Sequence, residues 1–360
     1  MKTAYLVRYG AYGDHCHMSN VIKALDELGY NITFEYNYKG AQIHTYNPRV
    51  NTHKVFEPSE QLKTKKSIRD WHLRLNAYQD NYDLYVNFAR SLEDGLIASE
   101  DTPEYFWPLK DRRAKNAHVC YYDRSMIWAG LTDKKYMGWT GEIYFKKEEH
   151  DHVRKQLEPY RDKFVILWAL RGTMWQKAVC HIAKDICNEW LDKHPDSVII
   201  TTGDAPCKEW EWVSGHGTTI APERGLGDGS ASLIHKSGRM PFRQALNIAR
   251  YVNLVVTPET GLGIGAGVLG VPKIMLLTAA SLKNIVGNDK NDFSLQSDAW
   301  CSPCTRAIYN TKSCTINPET KLPICVDFDK DRVLNRMEEA YELHYMQNWD
   351  EPSDERPVYM

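Results

Sequence analysis

The chain has 360 residues, 42% of them hydrophobic and 26% charged, which is enough for two domains of ordinary size. A net charge of -2 excludes strong nonspecific attraction of the whole molecule to polyanions. The apolar runs fall far short of the roughly 20 residues that a membrane-spanning helix needs. Nine cysteines, an odd number behind an N-terminus that reads as a strand and not a signal peptide, point to a reducing cytoplasm.

Residues 2–8 read as a buried strand. Gly10-Ala11-Tyr12-Gly13-Asp14 follows as a turn into a helix with Val21, Ile22, Leu25 and Leu28 at helical spacing, ending at Gly29. Residues 32–38 alternate as a second strand. The result is a βαβ opening whose glycine-rich turn lies at the carboxyl edge of a parallel sheet. There Asp14 is either a helix-capping carboxylate or a general base kept ionised by the helix N-terminus. Residues 49–74 are loop-like and basic, with seven Lys/Arg against three Asp/Glu and with His53 and His72. Such a run is a solvated face or an anionic contact on the acceptor side. Residues 82–88 form another strand, and 92–97 begin the next helix. Phe106, Trp107, Tyr121, Tyr122 and Trp128 belong to an aromatic complement of 11 Trp and 21 Tyr, which serves as stacking surface or as core. Residues 146–163 are charged and helical, and the domain joint is placed there.

A second α/β pattern opens with the apolar strand 164–170 (FVILWAL). It runs into Arg171-Gly172-Thr173-Met174-Trp175-Gln176-Lys177 and a helix through Trp190. Arg171, Thr173 and Lys177 sit just past a strand end. They are either exposed loop residues or the groups that neutralise a leaving diphosphate. Residues 197–202 are the next strand, 207–232 are irregular and 241–250 are helical. The stretch 253–277 (NLVVTPETGLGIGAGVLGVPKIMLL) then joins two buried strands through glycines at 261, 263, 265 and 267. Each costs roughly 1 kcal/mol relative to Ala in a helix. They fit a tight strand-to-helix turn against the sheet, or a pyrophosphate cradle at the helix start. In the cradle Thr260, Gly261 and Gly263 face the phosphates and Glu259 points at a sugar or ribose. The run also matches Gly261-x-Gly263-x-x-Ala266, but no carboxylate follows the next strand before Asp289, so NAD is set aside. Cys301-Ser302-Pro303-Cys304 with Cys314 and Cys325 suggests structural zinc, or else buried thiols or opportunistic disulfides; a second close pair is missing. Residues 327–360 carry ten Asp/Glu against four Lys/Arg, and 330–346 read as an amphipathic helix docking on the body.

VRYGAYGD (7–14), LWALRGTMWQKA (167–178), the stretch 253–277 and WCSPC (300–304) resemble heptosyltransferase-like glycosyltransferases of glycosyltransferase family 9. The resemblance covers most of the chain, and YDLYVNF (82–88) with SLE (91–93) brings it closest to phage-encoded members. It implies an α/β, GT-B fold of two Rossmann-like domains facing a cleft. The acceptor domain would span 1–155 and the nucleotide-sugar domain 156–326, with a helix in 327–360 returning to the first. It implies inverting transfer from a nucleotide-diphosphate sugar without cofactor or catalytic metal. Asp14 would be the base, with Gly13, His15 and His17 on the acceptor side. Lys177 would hold the donor phosphate near Arg171 and Thr173, and Thr260 and Gly261 the pyrophosphate. Glu259 stands where the family more often has Asp. The expected acceptor is a saccharide; a modified base in phage DNA is the alternative, favoured by segment 49–74 and opposed by the acidic balance. A non-catalytic nucleotide-sugar-binding protein is a third reading. The expected location is the cytoplasm of a bacterium or a phage-infected host.

Overall fold

The computed structural model describes residues 1–56, 79–88, 91, 98, 102–221, 225–309 and 313–346. The helix expected at 92–97 and the basic segment from residue 57 onward lie outside them. The chain divides into two compact units. The first comprises Met1–Asp94 and Tyr121–Tyr144, and the second Gly95–Cys120 and Phe145–Met360.

In the first unit β1 (Lys2–Arg8), β2 (Tyr30–Asn37), β3 (Thr52–Phe56) and β4 (Leu84–Asn87) form one parallel sheet in the order β3-β2-β1-β4. β1 is central, and Ala4 to Val7 have no exposed surface. Strands buried on both faces read as continuous apolar runs, which is why this one was legible. Helix Tyr12–Glu27 brings Met18, Val21, Ile22 and Leu25 into a core with Leu6, Ile32 and Phe34. β3 corrects the loop reading of residues 49–56: Thr33 to Asn37 of β2 pair in parallel with Thr52 to Phe56.

Helix Tyr12–Glu27 also buries its histidines. His15 and His17, expected on the acceptor side, are 0% and 1% exposed and belong to the core. The inward face of the helix is wider than its aliphatic spacing suggests. His15 Nε2 donates to Asn37 Oδ1 (3.0 Å), and its ring lies 5.4 Å from that of His44. His17 packs edge-on against Tyr121 and Tyr122. Burial, with Arg8 nearby, lowers the His15 pKa to about 3. Burial and the neighbouring His15 hold His44 well below its ordinary value. Both rings are therefore neutral when folded, whereas an unfolded His takes up a proton near pH 6.5. Their contribution is fully present above about pH 6.5 and is lost as pH falls below it, in the case of His15 down to about pH 3, by about 1.4 kcal/mol per pH unit for each ring. Urea unfolding at pH 7.5, 6 and 5 checks this: stability falls with pH, and His44→Phe flattens the slope. A slope unchanged by His44→Phe removes His44 from the account.

The second unit holds a seven-stranded sheet, also parallel. β5 (Phe164–Ala169), β6 (Ser197–Thr202), β7 (Thr218–Ile220), β8 (Leu233–His235), β9 (Leu254–Pro258), β10 (Lys273–Leu277) and β11 (Leu295–Gln296) lie in the order β11-β10-β9-β5-β6-β8-β7. The chain starts at β5, winds outward through β6, returns to β9 on the other side of β5, and winds out again. Ile166, Trp168, Val256 and Ile274 share a core with Ala183, Ile186 and Trp190 of helix Cys180–Lys193. Helix Lys330–Met346, which the resemblance sends to the first domain, belongs to this core instead. Val333, Met337 and Ala340 form its buried stripe, and Tyr341 packs on Phe164 and Trp190. Residues 347–360 lie outside the description.

The chain passes into the second unit for good at Phe145, ahead of the joint expected at 155. Helix Lys147–Leu157 is tied there by Arg243, whose guanidinium donates to Glu149 at 2.6 and 2.7 Å. Residues 95–120, expected in the first domain, also belong to the second unit. Asn284 Nδ2 donates to the carbonyls of Asn116 and Val119 (2.8 Å each), and Ser281 Oγ to that of Ala117 (2.7 Å).

Candidate functional site

Both sheets set their candidate groups where strand order reverses, the place where open parallel sheets bind ligands. In the first unit this point lies between β1 and β4. β1 ends at Arg8, and helix Tyr12–Glu27 begins four residues on, with Asp14 in its first turn. Asp14 Oδ2 accepts from the Ala11 amide (2.7 Å), and Oδ1 lies 3.1 Å from an Arg8 guanidinium nitrogen. Asp14 is thus a third-position helix carboxylate and not the cap residue. Its side chain keeps 22% of its surface exposed, whereas Arg8 is buried and also donates to the Phe88 carbonyl. Gly10 has φ +153°, and a Cβ there would stand 2.3 Å from Asp14 Oδ2, so glycine is required for the carboxylate to fold back. Gly13 is buried within the same turn. Arg8, unmarked in the sequence reading, is the partner that fixes Asp14; an arginine closing an apolar strand was the signal.

In the second unit the reversal lies between β5 and β9, whose residues Ile166 to Trp168 pair with Leu254 to Val256. The loops leaving these two strands carry the expected donor groups. Lys177 Nζ lies 3.1 Å from Glu259 Oε1, and Glu259 Oε2 accepts from the Ala280 amide (3.2 Å). Glu259 is 3% exposed and is therefore spent inside the protein, anchoring the lysine and the turn after β10. Gly172 donates its amide to the Lys177 carbonyl (2.9 Å), closing the loop. A Cβ on Gly172 would lie 2.8 Å from Lys177 Cβ and 3.2 Å from Thr260 Cγ2, so these three residues touch. Thr260 is the residue before helix Gly261–Val268, and no side chain caps that helix. Its hydroxyl turns back to Thr257 Oγ1 at 2.7 Å. The first-turn amides and the positive helix end are thereby left for an anion. The Arg171 guanidinium lies over Trp175, 5.5 Å from the ring centre. Thr173 is exposed, and no described contact draws it into the cluster.

The later glycines of this helix have another purpose. A Cβ on Gly263 would stand 2.5 Å from Thr257 Cγ2 and 2.8 Å from Met275 Cε; one on Gly265 would stand 2.3 Å from Leu246 Cδ1. What approaches the backbone closely here is the protein's own sheet and neighbouring helix. Gly263 is a packing residue, and the phosphate reading is kept for the helix start.

Gln176, which sequence reasoning passed over, stands beside Lys177 and is 1% exposed. Its side-chain amide donates to Cys304 Sγ (2.9 Å) and to the Arg306 carbonyl (3.0 Å), and accepts from the Ile308 amide (3.1 Å). Cys301, Cys304, Cys314 and Cys325 are free thiols. Among the described residues no three His, Cys, Asp or Glu side chains stand together as ready metal ligands.

Two doubly wound parallel units make this an α/β protein with the GT-B fold. No protein family matches the sequence, and no curated protein does. Solved structures do match. A glycosyl transferase family 9 protein from Veillonella parvula superposes with a TM-score of 0.64 at 11% identity, covering 95% of this chain and 98% of that one. The ADP-heptose lipopolysaccharide heptosyltransferase II of E. coli gives 0.61 at 12%, covering 96% and 100%. The E. coli heptosyltransferase WaaC with ADP gives 0.53 at 15%, covering 94% and 99%.

Proposed function

We propose that the protein is an inverting glycosyltransferase that moves a sugar from a nucleoside-diphosphate sugar to an acceptor hydroxyl. The observation that carries this reading is the Lys177–Glu259 pair held against the uncapped start of helix Gly261–Val268. A departing diphosphate needs positive charge and fixed N–H donors, and this turn supplies both without a catalytic metal. Lys177 is the cation, and the first-turn amides are the donors. Asp14, in the first turn of helix Tyr12–Glu27, takes the acceptor proton. ADP is the first nucleotide to test, because the structurally similar WaaC holds it.

A saccharide is the acceptor favoured here. The DNA alternative leaned on segment 49–74. There Arg49 is drawn inward to Asp26 (2.6 Å) and Glu142 (2.7 Å), and His53 Nδ1 is bonded to the Tyr36 hydroxyl (2.9 Å). No described helix is long and apolar enough to cross a membrane.

Melting curves with ADP-, GDP-, UDP-, CMP- and dTDP-sugars, with and without EDTA, test the donor site. A ligand at 100 times its dissociation constant stabilises by about 2.7 kcal/mol. In a unit of this size that raises Tm by about 5–10 °C. One nucleotide should give such a shift, unchanged by EDTA. Lys177→Met, which removes a charged hydrogen bond of about 1.5–3 kcal/mol, should weaken it roughly 10–100-fold. No shift with any of the five defeats the proposal.

A further inference from the structure

The second unit holds a cavity of about 290 Å³ whose wall carries two guanidiniums, those of Arg112 and Arg306. Among the described residues neither is paired with a carboxylate. Arg112 is 4% exposed and donates Nε to the Cys304 carbonyl (3.0 Å) and one terminal nitrogen to that of Trp107. Its other terminal nitrogen has no hydrogen-bond partner among those residues. Arg306 lies over the Tyr105 ring, 4.7 Å from its centre, and its buried Nε is without a partner as well. Burial and the nearby Arg306 charge lower the Arg112 pKa. The thiols of the wall do not supply the missing negative charge. Burial pushes Cys304 up, and Cys314 up to about 11, so both are neutral at pH 7. Buried cations call for a counter-charge, and buried donors for an acceptor.

We propose that this cavity binds a small aromatic carboxylate, whose charge is shared by Arg112 and Arg306 and whose ring lies against Trp107 and Trp300. The two tryptophans line the cavity while keeping 39% and 68% of their surface exposed, which sets them at its opening. Ile308 and Ile324 make the wall beyond the arginines apolar. Such a lining suits an organic body better than a free inorganic ion, and flat indole faces suit a ring. The planar fork of a guanidinium matches a carboxylate in shape. The cavity also reaches Pro108 and Leu109, where helix Leu109–Asn116 begins without a side-chain cap, and a helix start favours negative charge. Small-molecule pockets run from roughly 300 to 1,000 Å³. This one lies at the small end, the size of a single ring with its acid group and not of a nucleotide. Gln176 belongs to the wall, whereas Lys177 beside it turns to Glu259. The inference therefore does not rest on the proposed transferase activity.

The test is calorimetric titration of the full chain with benzoate, with benzamide as its neutral isostere and inorganic phosphate as the plain anion. Benzoate should bind with a dissociation constant on the order of 1 mM or tighter. Benzamide and phosphate should bind at least about 10-fold more weakly, for want of the charge or of the ring. Arg306→Gln should weaken benzoate binding about 10–100-fold, and Arg306→Lys, which keeps the charge, should fall between. Melting without any probe shows that these variants fold. A second readout needs no variant. Cys301 and Cys314 line the cavity, so benzoate at ten times its dissociation constant should slow their alkylation by iodoacetamide about 10-fold, as mapped by mass spectrometry. Absence of benzoate binding at about 10 mM overturns the proposal. So do equal binding of benzamide, tighter binding of phosphate, full benzoate affinity in folded Arg306→Gln, and alkylation rates that benzoate leaves unchanged.

Discussion

Asp14→Asn should lower turnover by about 10²–10⁴-fold, the usual contribution of a positioned general base. Asparagine keeps the shape of the side chain and an oxygen for the Ala11 amide, which donates to Asp14 at 2.7 Å. It removes the charge. The base would then be gone while the helix start remains, so donor-induced melting shifts should be preserved. A second effect follows from Arg8, which is 1% exposed and loses its carboxylate neighbour at 3.1 Å. Some loss of stability is therefore expected in the same variant. Turnover measured below the melting transition separates the two. Near-normal turnover in a folded Asp14→Asn protein eliminates Asp14 as the base. Lost turnover together with lost nucleotide binding would show damage beyond the acceptor side.

Lys273→Met should cost about 3–5 kcal/mol of stability in the second unit, the penalty for leaving a buried charge without its partner. Lys273 opens β10 with 0% exposure, and its Nζ lies 2.9 Å from both Asp289 Oδ2 and Asp292 Oδ1. Asp289 is equally buried, and a Cβ on Gly267 would stand 2.4 Å from its Oδ2. The carboxylate is thus wedged against helix Gly261–Val268 and cannot swing out to water. A fall in Tm of about 6–20 °C is expected at roughly 2–4 °C per kcal/mol. Asp289→Asn with Lys273→Met should recover part of the loss, because the stranded charge is then removed as well. A Tm within a degree or two of wild type would mean that water reaches the pair.

The elements legible in the sequence were those whose own residues determine them. β1, β5, β9 and β10 are apolar runs buried on both faces, and helix Lys330–Met346 shows its stripe at 333, 337 and 340. The placement of Asp14, Lys177 and the turn at 259–261 in the segments that leave such strands was legible for a related reason, while their roles rest on the proposal. What the sequence hid depends on partners distant in the chain. The glycines at 263 and 265 look the same whether a phosphate or a leucine approaches them; only Leu246 and Met275 decide it. His15 and His17 read as polar, yet Asn37 and two tyrosines make burial acceptable. Residues 95–120 join the second unit through backbone carbonyls, which leave no mark in a sequence. Helix Lys330–Met346 shows its apolar face but not which core receives it.

The path of the chain bears on how the protein can be cut. It enters the second unit at Gly95, leaves after Cys120 and re-enters at Phe145. A fragment starting at Phe145 would therefore strand Asn284, whose amide serves the carbonyls of Asn116 and Val119. It would also strip the Cys301–Cys304 loop of Arg112 and Arg113. Truncation at that obvious joint should yield an insoluble product, whereas supplying residues 95–120 in trans, or fusing them ahead of Phe145 through a flexible linker, should restore a folded one. Gene-level modularity and structural modularity part company in this molecule, and half-exchange between relatives would have to move two segments together.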